Sequence, residues 1–154
     1  MDKKNESGRE LYYFTQDVLA VSGYNQYEIS NYAKPGFECK HNLAYWSNKS
    51  YLGVGLSAHS FDKDFKLRWG NTKDMNAYLD GELIDFSEPA QDIDLMIMGL
   101  RKTSGIPIEE IPQGYYETIC RLINDGFLQR SPHRVSYTQK GRILENQILM
   151  EFLD

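Results

Sequence analysis

Between Glu38 and Trp46 the chain reads Glu38-Cys39-Lys40-His41-Asn42-Leu43-Ala44-Tyr45-Trp46, which places a thiol, an imidazole, a carboxamide and two large aromatic rings within nine residues. The imidazole of His41 and the thiolate of Cys39 are both groups that can ligate iron, and Asn42 can hydrogen-bond a fixed partner. Tyr45 and Trp46 supply one wall of a flat apolar pocket. A haem or porphyrin site would use all of these groups. The competing reading is structural: His41 and Asn42 tie a loop to its strand while Tyr45 and Trp46 plug a rim.

Other chemistry-bearing residues are more scattered. Glu28 suits either a substrate amine or propionate-coordinating cation, or a pairing arginine, and both readings stand. Gly53-x-Gly55 lacks the third glycine and the following helix of a dinucleotide fingerprint, so close backbone packing is the expectation there. Cys120 falls on an apolar helical stripe, where burial is expected. His133 lies in a turn and is expected to be solvated. Two cysteines so far apart in sequence make a disulfide framework improbable, and a reducing, cytoplasmic setting fits them.

The elements that must hold the nine-residue run follow from periodicity. Leu11, Phe14 and Val18, with Tyr12 and Leu19, recur at helical spacing and stop at Gly23. Tyr24–Ser30 suits a strand, and Pro35-Gly36 signals a loop. The run is therefore expected in a loop beyond a strand's end, where α/β architectures bind ligands. Tyr51–Phe61 reads as a second buried strand.

After Lys66 the pattern turns mainly helical. Ser87 and Pro89 are expected to open a helix with Ile93, Met96, Ile97 and Leu100 on its buried stripe. Tyr116, Ile119, Cys120 and Ile123 form another stripe, closed by Asp125-Gly126. An extended pair over Phe127–Leu128 and Val135–Tyr137 follows, and Thr138 caps a last helix carrying Leu144, Ile148 and Phe152. That order is winged-helix-like, with Arg130, Arg134, Lys140 and Arg142 as a remote candidate for a nucleic-acid face. Interspersed acids and a net charge of -5 oppose it, so no nucleic-acid partner is expected.

With 41% hydrophobic and 13% aromatic residues the chain can bury a core and is not of disordered type. No run approaches the ~18 apolar residues of a membrane span, and no apolar segment follows Met1–Glu6.

Several ordered segments carry a family resemblance. Tyr27–Ala33, Pro35-Gly36, His41-Asn42 with Tyr45-Trp46, and Tyr51–Gly55 with Ala58-His59-Ser60 resemble the HemW family, radical S-adenosylmethionine proteins related to oxygen-independent coproporphyrinogen III oxidase. Met98–Arg101, Gly105-Ile106, Asp125–Leu128, Thr138-x-Lys140-Gly141-Arg142 and Phe152-Leu153 continue in that family's order. The resemblance implies an α+β chain: the last segments of a partial (β/α) radical-SAM barrel over residues 1–69, then a mainly helical, winged-helix-like C-terminal domain over 70–154. It also implies a C-terminal portion, because the family's CxxxCxxC cluster triad is absent.

In function, the resemblance implies a haem chaperone that hands haem to an acceptor protein, with His41, Asn42, Tyr45 and Trp46 in the haem-binding HNxxYW segment. His41 is the implied iron ligand, and Cys39 is the alternative. Ala58 and His59 fall where oxidase relatives contact S-adenosylmethionine. The [4Fe-4S] cluster and S-adenosylmethionine are expected of the full-length protein only, so no catalytic residue is assigned to this chain. Oxygen-independent coproporphyrinogen oxidation is the alternative function.

Overall fold

The computed structural model describes the backbone of residues 3–153, with side chains from residue 8 onward. In chain order the elements are α1 (Lys3–Val21), β1 (Asn25–Gln26), β2 (Tyr32–Ala33), α2 (Lys40–Trp46), β3 (His59–Asp62), β4 (Leu67–Asn71), α3 (Met75–Leu79) and β5 (Ile84–Pro89). Then follow α4 (Asp92–Leu100), β6 (Ile106–Pro107), α5 (Tyr116–Asn124), β7 (Leu128–Arg130), β8 (Arg134–Tyr137), α6 (Gln139–Ile143) and α7 (Glu145–Met150). The chain is therefore α+β, and its sheets are antiparallel. It divides into two compact units, one of residues 1–39 with 100–154 and one of residues 40–99.

In the first unit, the stripe that the periodicity of α1 predicts is met only in part, with Tyr12 and Leu19 half-buried. Leu11 and Phe14 are both 64% exposed, and Val18 is exposed as well. The inward side is polar: Gln16 Nε2 donates to Gln26 Oε1 at 2.7 Å, and Gln26 Nε2 donates to the Tyr12 hydroxyl at 3.0 Å. Gln139 Nε2 adds a bond to Gln16 Oε1 at 2.9 Å. The expected strand over Tyr24–Ser30 is reduced to the two-residue pair β1–β2 and an isolated bridge between Glu28 and Lys102.

In the rest of that unit the turn and cap signals hold, while the predicted α5 stripe of Tyr116, Ile119, Cys120 and Ile123 does not, since Tyr116 and Cys120 are exposed. Ile119 and Leu122 bury the inner stripe of α5, and Gly126 takes φ +75 where the helix must stop. The sheet has the order β6-β8-β7, with Ile106, Leu128, Val135 and Tyr137 buried in it. Thr138 caps α6 as expected, its Oγ1 accepting from the Gly141 N–H at 3.0 Å. The last helix is broken at Leu144 into α6 and α7, while Ile148 and Phe152 are buried. Arg134 and Lys140, expected on a basic face, bind carbonyls instead: Arg134 those of Ser104 (2.8 Å) and Gly105 (2.6 Å), Lys140 that of Asp125 (3.1 Å).

In the second unit the mainly helical reading after Lys66 is corrected, because β4 and β5 complete a three-stranded sheet of order β3-β4-β5. Ser87 is not a cap: it lies in β5 opposite Trp69. The Ser-Glu-Pro signal marks a strand end, and α4 starts only at Asp92. Tyr51–Phe61 is not one strand either. Only Tyr51 bridges Phe61, and the intervening segment turns through Gly55 (φ +106) and Ser57 (φ +59) before β3 begins.

Candidate functional site

The run read as a loop is a helix. Residues 40–46 contain neither glycine nor proline, and Gly36 (φ +84) separates them from the preceding segment. Asn48 ends α2 in the left-handed region at φ +50, and the Lys49 N–H closes back on the Ala44 carbonyl at 3.0 Å. Helical spacing puts His41 and Tyr45 on one face and Asn42 and Trp46 on the next. Cys39 precedes the helix and is an exposed free thiol. With His41 in the first helical turn, the extended pleat that would have aligned the two side chains is absent.

From His41 a row of rings runs into the sheet. The His41 imidazole is exposed and lies 5.4 Å from the Tyr45 ring at 60°. Tyr45 stacks on Tyr51, with centroids 3.9 Å apart and planes at 22°. Tyr51 in turn lies 6.3 Å from Phe61, which is buried in β3. Trp46 meets the edge of Tyr45 at 6.3 Å. Burial, reinforced by the hydrogen bond to Tyr45, raises the Tyr51 phenol well above its ordinary range. A recess of only about 20 Å³ between Tyr45, Tyr51, Arg68 and Leu95 lies beneath these rings, and the Arg68–Asp94 ion pair (3.1 Å) lines it. It is too small to hold a macrocycle.

Ala58 and His59 stand at the start of β3. The Ala58 carbonyl accepts from the Asn71 N–H at 2.8 Å, and the exposed His59 ring packs 5.4 Å from Phe86. Close packing accounts for Gly53: a Cβ there would collide with the His59 carbonyl. Its N–H donates to the Oγ of fully buried Ser60 at 2.9 Å. Cys120, expected to be buried, is exposed, because the inward stripe of α5 runs through Ile119 and Leu122 instead. His133 is exposed, as expected.

A [4Fe-4S] cluster does not fit this chain's donor set. A three-cysteine triad needs more thiols than the two present, and no group of three or more His, Cys, Asp or Glu among the described residues could hold a metal ion.

Sequence reasoning missed one buried charge network. Glu28 is 0% exposed, and its Oε1 accepts from the Ser30 N–H at 2.8 Å and from Asn31 Nδ2 at 2.6 Å. Its Oε2 lies 3.8 Å from Arg101 Nη2, while Arg101 Nη1 donates to Glu145 Oε1 at 2.8 Å. One guanidinium thus joins a carboxylate after β1 to one that opens α7. Burial, with Glu28 adding to it and Arg101 opposing, raises the Glu145 carboxyl above its ordinary value. The pairing reading of Glu28 holds. The signal in the sequence was an acid inside an otherwise strand-like segment, and its partner lay 73 residues away.

The family model of the HemN C-terminal domain matches residues 94–144. Among solved structures, coproporphyrinogen III oxidase (HemN) from Escherichia coli, described as a radical SAM enzyme, aligns with a TM-score of 0.63 and 18% identity. That alignment covers 92% of this chain and 39% of HemN. The chain thus shares its fold with part of HemN, and residues 94–144 match the HemN C-terminal domain family. Within that class the curated relatives are more specific. The haem chaperone HemW of Lactococcus lactis is 33% identical over 96% of this chain and 42% of its own length. That of Bacillus subtilis is 30% identical over 96% and 43%. The chain belongs to the HemW family, and it spans about two fifths of the length of these relatives. Among the described residues no helix is long and apolar enough to cross a membrane.

Proposed function

We propose that this chain is the haem-contacting part of a haem chaperone, and that the exposed face of α2 makes the contact. The carrying observation is His41, an accessible imidazole whose neighbours in the next turn are stacked rings rather than charges. A neutral imidazole nitrogen fills an axial position of haem iron, and Tyr45 and Trp46 offer the macrocycle apolar surface. Cys39 is the second candidate ligand, as an exposed thiol next to the helix start.

Iron-sulfur and S-adenosylmethionine chemistry belongs to the longer proteins of the family, and no step of it is assigned to these residues. Ala58 and His59 make the contacts of a packed strand, and no S-adenosylmethionine contact is assigned to them. Likeness to HemN at 18% identity supports the fold and does not favour coproporphyrinogen oxidation. Titration of ferric haem into the 154-residue chain tests the proposal. The chain should show a shifted Soret band, and His41→Ala should weaken binding at least tenfold. An unchanged spectrum and affinity in that variant would remove His41 as the ligand.

A further inference from the structure

Helix α2 is seven residues long and has no fully buried side chain. A helix this short does not stand on its own hydrogen bonds, so the direction of His41 depends on what anchors it. Two anchors are visible. Asn48 Nδ2 donates to the Leu95 carbonyl at 2.8 Å, just beyond the helix end. The other is the Tyr45–Tyr51 stack, which acts on the same helical face as His41.

Tyr51 is itself fixed from below. Its N–H donates to the Phe61 carbonyl at 2.9 Å, and its carbonyl accepts from the Phe61 N–H at 3.0 Å. Phe61 is 4% exposed, so this bridge roots the outer rings in the sheet. Backbone position and stacking partner together hold the Tyr51 ring against Tyr45. Tyr45 packed on that ring leaves the His41 imidazole a defined neighbour one turn earlier.

We propose that Tyr51, which lies outside the HNxxYW segment, is the positioning residue that sets the His41 imidazole through Tyr45. This rests on the reading of His41 as the haem contact. A stacked aromatic pair favours its packed geometry by a factor of roughly 2 to 10, and that factor is the expected loss when the ring is removed. The ring, not the hydroxyl, carries the effect.

The test is ferric haem titrated into the full 154-residue chain and its Tyr51→Leu, Tyr51→Phe and His41→Ala variants, with Soret position and affinity both read. Tyr51→Leu should bind roughly 2- to 10-fold more weakly, with its Soret band displaced toward that of His41→Ala. Tyr51→Phe should stay within twofold of the unaltered chain. If His41→Ala changes the spectrum and Tyr51→Leu does not, the positioning role is overturned while the haem contact stands. If His41→Ala changes nothing, the haem contact itself fails. Should Tyr51→Leu not fold, proton NOEs in the unaltered chain decide: cross-peaks from His41 to Tyr45 and from Tyr45 to Tyr51 are expected, and their absence overturns the proposal.

Discussion

Replacing Glu28 by alanine should be among the most damaging single changes in the unit formed by residues 1–39 and 100–154. The carboxylate is fully buried, accepts two hydrogen bonds on one oxygen and faces Arg101 with the other. Hydrogen bonds to a charged acceptor contribute about 1.5–3 kcal/mol each, and removing one partner of a buried pair costs about 3–5 kcal/mol. Two features reduce the total. Ser30 and Asn31 are exposed, so water can replace the lost acceptor, and Arg101 keeps Glu145 at 2.8 Å. The net loss should then be about 3 kcal/mol. Glu28→Gln keeps an oxygen for Ser30 and Asn31 and should lose only about 1 kcal/mol. Urea unfolding measures both, read as midpoint shifts at constant slope. A loss below about 1 kcal/mol for alanine, or equal losses for the two variants, would refute the claim that this carboxylate ties the early segment to the C-terminal helices.

Glu145 predicts a pH dependence. Its folded-state value is raised above the ordinary 4.5, so its contribution is fully present below that pH and is lost as pH rises through the higher folded value. The unfolding free energy of the unaltered chain minus that of Glu145→Gln should therefore fall from pH 4.5 toward neutrality, and urea melts at several pH values should not show it rising. Thr138→Ala removes the cap of α6 and should cost about 0.5–2 kcal/mol by the same melts. Gly105→Ala puts a Cβ against the Val135 carbonyl at a residue with φ +66 and should cost about 2–5 kcal/mol, with loss of the folded proton spectrum at moderate temperature.

Local signals were legible in the sequence where one element decides its own structure. The α5 helix, the Asp125-Gly126 stop, the return from Leu128 to Tyr137 and the Thr138 cap all appear where spacing and capping residues put them, although the buried stripe of α5 runs through Leu122 rather than Cys120. What was not legible depends on partners distant in the chain. Ser87 carries a helix-cap signal, but pairing with Trp69 makes it a strand residue. The apolar stripe of α1 at Leu11 and Phe14 faces outward because Gln26 and Gln139 hold its polar side. Residues 40–46 are too few for a helical period to show, so the run read as a loop.

For the site, the residue types at 39–46 were legible as a candidate iron contact, but the support beneath them was not. Tyr51 stood in an expected strand with no sign that its ring would lie under Tyr45, since only the bridge to Phe61 brings it there. The Glu28–Arg101–Glu145 network escaped for the same reason: its charges belong to three separated segments and meet only in the fold.

The most direct measurement is an amide proton–nitrogen NMR map of the isotopically labelled chain before and after addition of ferric haem. Paramagnetic broadening is expected centred on Lys40–Trp46 and reaching Tyr51. A competing apolar surface exists among Tyr24, Tyr32, Ala33, Lys34 and Phe37, where a cavity of about 400 Å³ opens. Broadening centred there, or no broadening near His41, would contradict the account.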